Sequence, residues 1–176
     1  MQINRRHVLT AGLASGFAMT LPQKAGSQIH SPGAMMREKA SAFLSALGEE
    51  QRNAVQFPFD TPARKAWNFM LGSRAAPGLS LEQMTAIQKD LALDLLSTGT
   101  SKTGHVKAMN IMLQQDILRD EWGKGSSDRN RERFAVQIYG TPAQTGAWSW
   151  RWEGHHLSLT FTMLDDKVIS TTPSSY

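Results

Sequence analysis

The tetrad Glu153-Gly154-His155-His156, with Arg151 two residues upstream, is the segment whose side chains could carry a reaction. An imidazole titrates near neutrality, so it can act as acid or base, and its bare ring nitrogen is a common metal ligand. A carboxylate beside two imidazoles could share a metal or complete an acid/base pair. On that reading Glu153, His155, His156 and Arg151 are the candidate catalytic residues. His155 and His156 are also the candidate ligands of a divalent transition metal. Strand geometry opposes this, because adjacent side chains on a regular strand point to opposite faces. A β-bulge at Gly154–His155 would relax the objection. A structural reading stands beside it, in which one imidazole closes a buried hydrogen-bond network and the other is exposed.

Trp148, Trp150 and Trp152 occupy alternate positions and so share one strand face. They are either core packing or a stacking platform for a sugar or another flat ligand, with Trp148 and Trp150 as its binding residues. Leu157, Leu159, Phe161 and Met163 take the other parity. If residues 148–164 are one extended stretch, the register must slip near Gly154, which is where the bulge is expected. Arg151 reads as a surface charge on the opposite face. Ser158, Thr160 and Thr162 read as a solvated one. Gly104-His105 at a helix start could hold an anion, or the glycine could simply relieve a close approach. No Gly-x-Ser-x-Gly, His-Glu-x-x-His, P-loop or dinucleotide fingerprint occurs.

The elements that must position these residues divide the chain in two. Residues 34–122 show helical periodicity. Met36, Ala40, Phe43, Leu44 and Leu47 form one apolar face, ended by Gly48. A short helix follows through Ala54, Val55 and Phe57 to Pro58. Asp60-Thr61-Pro62 is a capped start for an element closed by Trp67, Phe69 and Met70. Ser80 and Gln83 form a capping box opening a helix whose buried stripe is Met84, Ile87, Leu91, Leu95 and Leu96, stopped at Thr98-Gly99. Ser101 starts a helix apolar on more than one face, which predicts a central position. After a polar, Gly-rich boundary at 123–132, residues 133–172 read as strands. Phe134, Val136 and Ile138 alternate as a half-buried strand, Asp165-Asp166 is a hairpin turn, and Pro173 ends the last strand.

Composition limits the chemistry. The 176 residues fit one domain, and the absence of Cys excludes disulfides, thiolate ligands and a Cys nucleophile. The net charge of +4 is mostly local. Of 19 basic side chains, Arg5, Arg6 and Lys24 lie in residues 1–27, which hold none of the 15 acidic ones; 16 basic against 15 acidic remain. That balance argues against a nucleic-acid partner. Residues 1–27 read as a signal peptide. Arg5-Arg6 precedes the apolar run Val8 to Leu21, too short to span a bilayer, and Ala25-Gly26-Ser27 offers a cleavage site. The arginine pair resembles a twin-arginine signal, with His7-Val8 departing from the usual polar residue and Phe. An uncleaved basic helix is the alternative. The expected partner is the export machinery, the expected location periplasmic or secreted, and no membrane anchor is expected after cleavage. Residues 28–33 read as a flexible lead.

The run Trp148-Ser-Trp-Arg-Trp-Glu-Gly-His-His-Leu-Ser-Leu-Thr-Phe-Thr resembles the signature of an exported bacterial family, the domain-of-unknown-function family 3500. Phe57-Pro-Phe-Asp60 with Arg64 and Trp67 resembles its early block. Gly78-Leu79 with Leu81, Gln88 and Leu95-Leu96 resembles its long helix. Ser101, Gly104 and Ile111-Met112 resemble the next helix, and Tyr139-Gly140, Pro142 and Gly146 precede the signature. The resemblance covers roughly residues 34–173 and implies an exported helix-and-sheet protein without an established reaction. Asn68 stands where the family tends to have His, which weakens a metal reading that uses that position. Family members usually continue past Thr172-Pro173, so the domain is expected to be incomplete at its C-terminus, with an exposed, aggregation-prone sheet edge.

The fold expected is α+β: a signal peptide at 1–27, a lead at 28–33, and one domain over 34–176. About five short helices would pack on an antiparallel sheet of three or four strands. The function expected is a hydrolase or metal-binding enzyme centred on Glu153, His155 and His156. Its rivals are a periplasmic module binding a ligand on the Trp148/Trp150/Trp152 face, and a non-functional truncated fragment.

Overall fold

The computed structural model describes residues 31–66, 77–122 and 129–175. Residues 1–27, which read as a signal peptide, half of the 28–33 lead, the Trp67–Asn68–Phe69–Met70 stretch and most of the 123–132 boundary therefore lie outside the described residues. The helices are α1 (Pro32–Ser45), α2 (Glu49–Val55), α3 (Ala86–Thr98) and α4 (Lys102–Trp122). The strands are β1 (Gln56–Phe57), β2 (Leu79–Ser80), β3 (Ala135–Tyr139), β4 (Ala147–Gly154), β5 (Leu157–Leu164) and β6 (Lys167–Ser175). The architecture is α+β, with the helices before the main strands.

The sheet has six strands in the order β1-β3-β4-β5-β6, with β2 also on β3. It is larger than the three or four strands expected, and mixed. The extra strands are β1 and β2, each two residues long, too short to show a period; β1 pairs parallel with β3 and β2 antiparallel. Phe57 thus belongs to a strand and not to the helix before it. The last strand runs through Pro173 as an edge strand, where a missing N–H need not break a ladder.

One face of the sheet builds the core. Trp148, Trp150 and Trp152 are fully buried with Val136, Ile138 and Met163, and Phe161 is buried beside them. They share a cluster with Met36, Ala40 and Phe43 of α1, Ala92, Leu95 and Leu96 of α3, and Ala108, Ile111 and Met112 of α4. A buried aromatic side chain contributes roughly 4–6 kcal/mol of transfer free energy by area, so this ladder anchors the helical layer. The N-terminus of α1 is tied to the β5–β6 turn. Ser31 Oγ accepts from Ala34 N and donates to the Asp166 carbonyl at 2.9 Å, and Arg37 makes two hydrogen bonds to the Asp166 carboxylate. Asp165-Asp166 forms the expected two-residue turn, both residues at positive φ.

Three helix readings change. The Ser80/Gln83 box caps only a 3-10 turn at Leu81–Gln83. α3 begins at Ala86, under a second box made by Thr85 and Gln88. Gln88 turns inward to the Ala46 carbonyl (2.8 Å), leaving Ile87 71% exposed instead of buried. α4 is not central: Ala108, Ile111, Met112 and Gln115 are buried, whereas Val106, Leu113 and Ile117 on its other side are exposed. The helix start at Thr61-Pro62 shrinks to a 3-10 turn, Pro62–Lys65, without a side-chain cap.

Candidate functional site

Residues 148–164 are two strands, not one stretch with a bulge. β4 pairs with β5 from Ala147↔Leu164 to Gly154↔Leu157, and His155-His156 is the two-residue loop between them. Residues paired across such a loop sum to an odd number, so even positions on β4 share a face with odd positions on β5. Trp148, Trp150 and Trp152 accordingly pair with Met163, Phe161 and Leu159. The parity switch is the signature of the turn.

The turn fits only with glycine before it. A Cβ on Gly154 would lie 2.3 Å from the buried Phe134 ring. His156 takes φ 61°, a left-handed conformation uncommon for a residue with a side chain but more accessible to His than to most. With both residues in the loop, the strand rule separating adjacent side chains no longer applies. Their ring centroids lie 3.8 Å apart at 48°.

Each imidazole has a defined environment. Gln115 of α4 is 2% exposed, and its Nε2 donates to the Ile111 carbonyl at 3.4 Å. Its Oε1 therefore accepts, and His155 Nδ1–H donates to it at 2.9 Å. That tautomer leaves the Nε2 lone pair of His155 bare. Burial pushes the His155 pKa down to about 4, and the nearby His156 and Arg129 charges push the same way, so the ring is neutral at physiological pH. His156 Nδ1 is buried without a hydrogen-bond partner among the described residues.

Arg151 and Glu153 sit elsewhere, on the sheet face opposite the tryptophans. Arg151 is not a surface charge but is 3% exposed; Glu153 is 2% exposed. They form an ion pair at 3.4 Å. Gln137 Nε2 donates to Glu153 at 2.7 Å, and the Tyr139 hydroxyl donates to Gln137 Oε1. Burial, with the Glu153 charge, outweighs Arg151 and raises the Tyr139 pKa to about 12, so the phenol stays protonated. Arg151 Nε donates to Thr160 at 2.9 Å, and its other nitrogens reach the carbonyls of Ala63, Arg64 and Ala66. A guanidinium spent on main-chain carbonyls fastens the 62–66 turn over the sheet.

Ser158 and Thr162, expected on a solvated face, are buried too, and Ser149 Oγ donates to the Phe161 carbonyl. Gln137, Tyr139 and Ser149 are members of this network that residue-by-residue reading passed over. The available signal was polar alternation recurring on three adjacent strands, which by itself looks like solvent exposure.

The structure thus brings His155 to His156 and Arg151 to Glu153, as two separate pairs. Among the described residues no group of three or more His, Cys, Asp or Glu side chains is arranged to hold a metal ion, so Glu153, His155 and His156 do not form a three-ligand set. Trp148 and Trp150 present no ring face to a ligand, being fully buried, with Trp150 stacked on Phe161 at 4.6 Å. At Gly104-His105 both amides are already used: Gly104 N donates to Ser101 Oγ and His105 N to the Ser101 carbonyl.

Fold and site together define an α+β protein with helices on one face of its sheet, a buried polar network on the other, and a paired-imidazole turn at one end. The family described as "Protein of unknown function (DUF3500)" matches residues 30–176, and the chain belongs to it. No curated protein and no solved structure matches the chain.

Proposed function

We propose that this is an exported protein that binds a divalent transition metal on the paired imidazoles of the β4–β5 turn and uses it in hydrolysis. The observation that carries the reading is His155, held by Gln115 at 2.9 Å in the tautomer with a bare Nε2, with a second imidazole 3.8 Å away. Metal-ligating histidines are commonly oriented this way, the distal nitrogen donating to a fixed acceptor. Imidazole donors suit Zn²⁺ and Cu²⁺, and the chain has no Cys to compete for a softer ion.

His155 and His156 would hold the ion, which when bound would supply an acidified water and a Lewis acid for a carbonyl. Arg151 and Glu153, paired on the face of β4 opposite the tryptophans, stay outside that ligand pair. Export is supported by Arg5-Arg6 ahead of the apolar run Val8 to Leu21, and would place the protein in the periplasm or outside the cell.

The test is electron paramagnetic resonance of the chain loaded with one equivalent of Cu²⁺. Nitrogen hyperfine structure from two imidazoles is expected, reduced in His155→Ala and in His156→Ala. A spectrum with no coordinated nitrogen, or one unchanged in both variants, would overturn the reading.

A further inference from the structure

Helix α4 is apolar on two faces, and among the described residues the fold covers one. Ala108, Ile111, Met112 and Gln115 turn inward. On the opposite side Val106 is 58% exposed, Leu113 39% and Ile117 49%. At ~100° per residue these three fall within about 40° of one another, a narrow outward stripe.

The charges around that stripe are placed against their own helix. Lys102 opens α4, and Asp120 and Glu121 lie in its last turn, all three exposed. A helix dipole favours acidic side chains at the N-terminus and basic ones at the C-terminus, so each of these opposes it. Asp120 has only the adjacent Arg119 as an ion-pair partner among the described residues (3.1 Å). The same order, basic end, apolar middle, acidic end, is complementary to itself when reversed.

We propose that this face of α4 binds the same face of a second copy of this chain, as an antiparallel pair about a two-fold axis beside residues 111–112. That register lays Val106 on the partner's Ile117 and Lys102 on the partner's Glu121, and it repeats by symmetry. Leu113 lies near the axis, so both copies contribute it to the centre of the contact. The helix is 21 residues, about 30 Å, long enough for the apolar centre and both charged ends to be engaged together. The contact is isologous, closes at two copies and leaves the paired imidazoles on the inner side of α4. A partner of single charge would match one end of the stripe and oppose the other.

Sedimentation of the full chain over a concentration series tests this. A dimer is expected. Leu113→Glu, at a position already exposed, should raise its dissociation constant at least ~30-fold while leaving the circular dichroism melt unchanged. Lys102→Glu should weaken the dimer, and adding Glu121→Lys should restore it. A monomer at every concentration up to about 100 µM would overturn the proposal. So would a dimer indifferent to Leu113→Glu, or a charge swap that restores nothing.

Discussion

Replacing Arg151 by Met keeps most of the stem and removes the guanidinium. In the folded protein that group meets Glu153 at 3.4 Å, Thr160 at 2.9 Å and the carbonyls of Ala63, Arg64 and Ala66. The carbonyls are the smaller loss, because Ala63 and Arg64 are only half-buried and Ala66 is exposed, so water can take over there. The larger loss is at Glu153, which is 2% exposed and loses the guanidinium of its ion pair. Removing one partner of a buried pair costs about 3–5 kcal/mol. A total near 4 kcal/mol is expected, a large part of the ~5–15 kcal/mol that holds a domain of this size. Glu153→Gln alone should cost less, about 1–2 kcal/mol, since Arg151 keeps its carbonyl and hydroxyl acceptors. In the double variant both members of the pair are gone, so its cost should fall short of the sum of the single ones by about 2 kcal/mol. Equilibrium urea unfolding of the four proteins measures this cycle. An Arg151→Met cost below about 1 kcal/mol, or additivity within ~0.5 kcal/mol, would refute the view that this pair is coupled and buried.

Gly154→Ala places a methyl group against the Phe134 ring, which is 1% exposed, and should destabilise by about 1–3 kcal/mol in thermal or urea unfolding; an unchanged midpoint would show that the turn has room there. Acid should weaken the metal-free fold before most carboxylates titrate. The folded pKa of His155, about 4, lies below its ordinary value of 6.5, so the unfolded chain binds more protons between these values. Stability is then full above 6.5 and is lost as pH falls toward 4. Between about pH 7.5 and pH 5.5 the loss should be about 1 kcal/mol after allowing for partial exposure, and it should shrink in His155→Gln. A loss that is equal in the variant would assign it to other groups.

The division into helices and strands was legible because it rests on long periodic runs: Met36, Ala40 and Phe43 in α1, or the alternating tryptophans in β4. What failed was reading signals that local rules leave ambiguous. The shift from Trp152 to Leu157 in parity was visible, but a bulge and a two-residue hairpin predict the same shift. His-His lacks the Asn-Gly or Asp-Gly composition that marks a tight turn, whereas Asp165-Asp166 came closer to it. Ile87 and Gln88 exchanged places because a polar side chain with a carbonyl to reach can outcompete an apolar one for the interior. The second apolar face of α4 predicts centrality by periodicity, but an apolar stripe has the same pattern whether or not the fold covers it.

The same ambiguity divides the candidate site. Alternating Ser158, Thr160 and Thr162 look solvated, yet Ser158 and Thr162 are buried and Thr160 accepts from Arg151, which also holds the 62–66 turn. The adjacency of His155 and His156 was legible. Their close approach was not, because it depends on the loop conformation and on Gln115, 40 residues earlier in the chain.

The central claim, that His155 and His156 together form a metal site, is tested most directly by calorimetric titration of the full chain with Zn²⁺ and Cu²⁺. One ion per chain is predicted, with binding lost in both His155→Ala and His156→Ala and weakened in Gln115→Leu, all at unchanged melting cooperativity. No saturable binding by the folded protein, or binding that survives both histidine substitutions, would contradict the account.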